Sequence, residues 1–173
     1  MQAWRRLAER DPLEKANRLG LRPKDWMVDL TNALDVPFNE ALEDVGDAAK
    51  TLAAGDGSAV AAAAQLAAIS LQKQPDAEAL ALWLGDAVLA HRLKWPALVP
   101  LIAGQISRSD IRAAARPDGD AWQTTWIKRF GAGCITLRRK PFLRPRLTWM
   151  AFISPRLRRC HTVCLETRNS RIV

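Results

Sequence analysis

A chain of 173 residues, 49% apolar and 25% charged, has the length and composition of an ordinary soluble domain with a sizeable core. Its net charge of +8 and pI near 10.1 would point to nucleic acid or an anionic membrane if the charge were spread over the whole chain. It is not: residues 1–130 hold sixteen basic against seventeen acidic side chains, whereas residues 131–173 hold ten basic residues and one acid, Glu166. The body is close to neutral, and the basicity belongs to the end of the chain. Three cysteines (Cys134, Cys160, Cys164), odd in number and confined to that end, exclude a disulfide framework and fit a reducing, cytoplasmic setting. The first ten residues lack the apolar core of a signal peptide. No stretch is long and apolar enough to be expected to span a bilayer.

Taken in order, the chain predicts one helix after another. Asp11-Pro-Leu-Glu14 is a helix start, with Asp as N-cap and Pro at the first helical position, and Gly20 is the stop. A second helix is expected from Pro23 to Leu34, with Trp26, Leu30 and Leu34 on one face. A third is expected from Pro37 to Ala54, burying Phe38, Ala41, Leu42, Val45, Ala49 and Leu52. Ser58 then caps an alanine-rich helix running to Leu71, whose small side chains allow a neighbouring backbone to come close. With Asp76 as N-cap, the stretch from Ala79 to Trp95 follows; it is apolar almost all the way round, the pattern of a helix in the middle of a bundle. Pro96 must end it, and Leu98, Val99, Leu101, Ile102 and Ile106 predict a further short helix that completes a hairpin. Another short helix is expected over Ser109–Arg116. A last one over Ala121–Phe130 aligns Trp122, Trp126 and Phe130, with Gly131-Ala-Gly133 as its terminator. The fold class is all-α: a multi-helix, orthogonal or bundle-like domain over residues 1–134.

From Ile135 the composition changes abruptly. Residues 135–173 carry nine arginines and one lysine, with three prolines, and no apolar period survives more than a turn or two. This Arg-rich tail has three readings: a basic arm that binds phosphate backbones, a disordered terminus, or an out-of-frame segment following a frameshift or truncation. If it is a nucleic-acid arm, the residues that bind are Arg138, Arg139, Lys140, Arg144, Arg146, Arg156, Arg158 and Arg159.

Motifs that carry chemistry are sparse. Cys134, Cys160, His161 and Cys164 supply enough zinc ligands in number, but adjacent Cys160 and His161 seldom reach one metal and the Cys160/Cys164 spacing has no matching pair. Asp86 and His91 lie five positions apart on the central helix, so their side chains diverge and form no acid–base dyad. A buried Asp86 calls for a partner from another helix, an arginine foremost. No phosphate-binding glycine loop and no nucleophile context is present, so neither catalytic residues nor cofactors are assigned. The 106–130 segment could form a helix-turn-helix, but its second helix offers only Gln123, Thr124, Lys128 and Arg129 as readers beside Trp122, Trp126 and Phe130.

The run Ala79-Leu-Ala-Leu-Trp-Leu-Gly-Asp-Ala-Val-Leu-Ala90, continuing His91-Arg-Leu-Lys-Trp-Pro-Ala-Leu-Val-Pro100 and Leu101-Ile-Ala-Gly-Gln105, resembles a bacterial family called domain of unknown function 1403. Trp4–Leu13 and Asp120–Cys134 are similar to it as well, so the likeness covers residues 4–134. Members occur mainly in rhizobia and related alphaproteobacteria, often on plasmids. The resemblance implies no enzymatic activity and no catalytic residue. The functional expectation is a non-enzymatic cytoplasmic protein acting through protein–protein interaction or self-association. The alternatives are a nucleic-acid-binding or plasmid-maintenance protein using the 106–130 helices or the Arg-rich tail, and an enzyme built from scattered acids such as Asp25, Asp29 and Asp86.

Overall fold

The computed structural model describes residues 12–95, 98–114 and 119–139, and these are helical with no strand among them. Helices α1 (Pro12–Leu19), α2 (Pro23–Leu34) and α3 (Ala41–Ala54) precede the alanine-rich α4 (Ala59–Lys73) and the central α5 (Glu78–Arg92). A short α6 (Arg108–Ala114) and the long α7 (Gly119–Arg139) complete the described chain. The all-α expectation holds.

Local chemistry accounts for most of the boundaries. Pro23 opens α2, and Asp35 closes it in the left-handed region at φ 56°. Ser58 accepts the Ala61 N–H at 3.3 Å and caps α4 as its position predicts. Asp76 does not cap α5; Ala77 holds that place and provides no side-chain bond. The third helix starts at Ala41 rather than Pro37. The segment before it is bound sideways instead: Gln74 donates from Nε2 to the Pro37 carbonyl at 3.1 Å and accepts from Asn39 Nδ2 at 3.1 Å. Phe38 still packs against the core from this non-helical position.

Helix α5 is the axis of the molecule. Every residue from Leu80 to Ala90 is buried, so no face of the helix is left to water. Leu80, Trp83, Leu84, Ala87 and Val88 join Trp26, Met27, Leu30, Leu42 and Val45 of α2 and α3 in one cluster. Ala81, Leu82 and Leu89 join a second cluster with Leu101, Ile102, Trp122, Trp126 and Phe130. Apolar burial on this scale dominates the stability of a helical domain, since helix propensity alone stabilises little.

Two glycines mark where elements meet most closely. A Cβ placed on Gly85 would lie 2.6 Å from the Trp126 ring and 3.2 Å from the Ala63 carbonyl oxygen. Here α5 can approach both α4 and α7 only without a side chain. Gly133 plays the same part on α7, where a Cβ would fall 3.0 Å from Leu101. Gly131-Ala-Gly133 therefore does not end the last helix, as the sequence suggested. The helix runs through it to Arg139, because packing against Leu101 offsets the roughly 1 kcal/mol that glycine costs inside a helix.

The largest departure lies between α5 and α6. The apolar residues 98–106 form no helix: Leu98–Leu101 is irregular and Ile102–Gln105 is a turn, with the Gln105 N–H bonded to the Ile102 carbonyl at 2.8 Å. The expected helical hairpin is absent. Pro100 has no N–H to give a helix, and the amide of Ile102 is drawn to a side chain of α5 instead.

Candidate functional site

That side chain is Asp86, the one buried charged residue among those described. Its Oδ1 accepts the Ile102 N–H at 3.1 Å, and its Oδ2 is buried with no hydrogen-bond partner among the described residues. The partner is thus a backbone amide sixteen residues onward, not an arginine. Among the described residues no basic side chain forms an ion pair with it. Burial pushes the Asp86 carboxyl up to about 8, although the N–H groups of Ile102, Ala103 and Leu101 pull the other way. At neutral pH this acid is mostly protonated in the folded chain.

The carboxyl fixes a surface connection to the core. Along this connection Leu98, Leu101 and Ile102 are buried, Leu101 and Ile102 in the same cluster as Trp126 and Phe130. Between and beyond these anchors Pro100 and Gly104 are exposed, with Val99 and Gln105 half-buried. Ser107 then starts α6 with a reciprocal cap. Its N–H donates to Asp110 Oδ2 at 2.9 Å, and the Asp110 N–H donates back to Ser107 Oγ at 3.3 Å.

The helices considered as a nucleic-acid reader are tied to each other. Arg129 on α7 bonds Asp110 on α6 at 2.9 Å, so one of the four expected readers already has an internal partner. Gln123 and Thr124 are half-buried, and Lys128 is exposed. Trp122, Trp126 and Phe130 are core residues, and Trp122 Nε1 donates to the Ala64 carbonyl of α4 at 2.7 Å.

The scattered acids do not converge. Asp25 is exposed and paired with Arg22 at 3.1 Å, Asp29 is exposed on the same helix, and Asp86 is enclosed under the 98–106 connection. His91 is exposed. It lines a surface hollow of about 510 Å³ between the start of α4 and the end of α5. Arg92 closes part of that hollow by donating to the Gly57 carbonyl at 2.8 Å. Cys134 is half-buried on α7, and no group of three metal-binding side chains occurs among the described residues. Cys160, His161 and Cys164 lie outside them, as do Lys140, Arg144, Arg146, Arg156, Arg158 and Arg159; Arg138 and Arg139 are the last two residues of α7. No helix of the described residues is long and apolar enough to cross a membrane.

Compared with known families, the chain matches Protein of unknown function (DUF1403) over residues 1–160. The chain belongs to this family. The DUF1403 match runs 26 residues past Cys134, further than the resemblance seen in the sequence, and takes in Arg138 through Arg159. Residue 134 itself falls inside α7. No curated protein and no solved structure matches the chain.

Proposed function

We propose that this DUF1403 chain is a non-enzymatic helical module that acts by binding protein, another polypeptide or a second copy of itself, through the connection between α5 and α6. The observation that carries this reading is the anchoring of residues 98–106. Loops positioned by a rigid scaffold are frequent carriers of binding function. This one is held by three buried apolar side chains and by a buried carboxyl. A scaffold that fixes a surface loop in one shape reduces the entropy lost when a partner docks on it. The surface presented, Val99, Pro100, Gly104 and Gln105, is small and uncharged, and suits an apolar protein patch.

The test substitutes Val99→Asp in the full chain, which places a charge on the loop while leaving its anchors intact. Co-purification and light scattering of wild type and variant are compared, with the helical circular dichroism unchanged. A partner or self-association weakened by about tenfold or more supports the reading, as burial of an unpaired charge requires. Complexes retained at equal strength by both chains overturn it.

A second reading is favoured by one further observation: the DUF1403 match includes residues 135–160, which hold eight basic side chains and no acid. Such a segment suits phosphate backbones. If it binds DNA, replacing Arg144, Arg146, Arg156, Arg158 and Arg159 together with glutamine weakens binding. It also flattens the dependence of log affinity on log salt by about 0.9 for each phosphate no longer neutralised. An unchanged slope removes this reading.

A further inference from the structure

We propose that Asp86 is a proton-controlled latch: with its carboxyl protonated the 98–106 connection stays seated on α5 and α7, and ionisation releases it. The inference begins with geometry. Asp86 is fully buried, one of its oxygens holds the Ile102 amide at 3.1 Å, and the other has no partner among the described residues. A fully buried carboxylate with no counter-cation among the described residues is costly in its ionised form wherever the connection is closed.

The surroundings offer little to relieve that charge. Next to Asp86, Gly85 meets the Ala63 carbonyl of α4 and the Trp126 ring of α7, neither of which carries a charge. Of the titratable groups on α5 and α7, Cys134 packs half-buried against the cluster of Trp126 and Phe130, His91 and Lys128 are exposed, and Arg129 is paired with Asp110. Releasing residues 98–106 removes the amide that Asp86 Oδ1 accepts and opens a path for water to the carboxyl. Leu101 lies close against Gly133 of α7, where an added Cβ would fall 3.0 Å from its apolar side chain.

Linkage makes the effect quantitative. Between the pH at which a hydrated carboxyl ionises and the higher pH at which the buried one does, the open form gains tenfold in population for each pH unit. The raised Asp86 carboxyl, at about 8, places that window across the physiological range. The consequence for binding rests on the reading that this connection is the recognition element: a partner that selects the closed form binds more weakly as pH rises. The latch itself does not depend on that reading.

Native-state hydrogen exchange on the full chain between pH 5 and 7.5 tests the proposal. Protection factors, already normalised for intrinsic exchange, are compared for the Ile102 and Ala103 amides and for Leu30 and Val45 in the α2–α3 core. The latch requires protection at Ile102 and Ala103 to lie well below that at Leu30 and Val45, which open only with the whole fold, and to fall about tenfold per pH unit. The slope must vanish in Asp86→Asn and persist in His91→Gln. A flat profile at Ile102, equal protection at all four amides, or a slope that survives Asp86→Asn overturns it. Should Asp86→Asn fail to fold, the carboxyl carbon of Asp86 in the wild type is followed by NMR, and a carboxyl already ionised at pH 6 overturns the latch. Loss of pH-linked protection is separable from failure of the binding reading, since Val99→Asp leaves Asp86 in place.

Discussion

Trp126→Ala is expected to destabilise the fold by about 3–5 kcal/mol, the range for deleting a large aromatic from a close-packed core. Trp126 is fully buried, meets Trp122 edge-on at a centroid distance of 5.2 Å, and lies against Gly85. It is the side chain through which α7 meets the backbone of α5 at its narrowest point. Its indole N–H has no hydrogen-bond partner among the described residues, so the loss is one of packing and cavity formation rather than of a polar bond. Gly85, shaped to receive this ring, cannot refill the space. Urea denaturation of wild type and variant measures the difference. A fall below about 1 kcal/mol would show that α7 contributes little to the cooperative unit.

Stability is expected to decline as pH rises from about 4 to about 8, by about 1.4 kcal/mol per pH unit from Asp86 alone. The sign follows from the raised carboxyl, whose value goes from 3.8 to about 8 on folding. Below the lower value Asp86 is protonated in both states and its burial adds no charge penalty. Between the two values the unfolded chain has released the proton and the folded chain has kept it, so each added pH unit favours unfolding. Above the upper value both are ionised and the contribution levels off. The opposing case is Asp110, held below the usual carboxylate range first by the Ser107 N–H; its small effect is confined to acid pH. Urea midpoints from pH 4.5 to 8 for wild type and Asp86→Asn provide the measurement. Parallel curves for the two chains would mean that Asp86 is hydrated in the folded state.

The stripe Trp122, Trp126, Phe130 was legible in the sequence because i, i+4 spacing on a helix identifies a face whatever that face meets. The same holds for the all-round burial of Leu80–Ala90, where no polar face exists to turn outward. Spacing failed at Leu98–Ile106 for a related reason. Leucine and isoleucine report that a position is buried, but they do not distinguish a helix from a loop whose side chains plug a core. Glycine was ambiguous in the same way: Gly133 has the composition of a helix stop, yet its lack of a Cβ serves close packing with Leu101 within a continuing helix. Of the candidate site, Asp86 stood out as an isolated acid in an apolar helix. Its partner was invisible, because a backbone amide carries no sequence signature.

By itself, then, the sequence determined the helical class, the caps at Ser58 and Pro23, the central place of α5 and the concentration of positive charge after residue 134. These follow from local propensity, periodicity and composition, each a property of neighbouring residues. Only the tertiary structure decided that Asp86 holds the Ile102 amide, that residues 98–106 are a seated connection and not a helix, and that α7 continues to Arg139. Those outcomes depend on which groups distant in the chain compete for one another once water is excluded, and that competition is settled by packing.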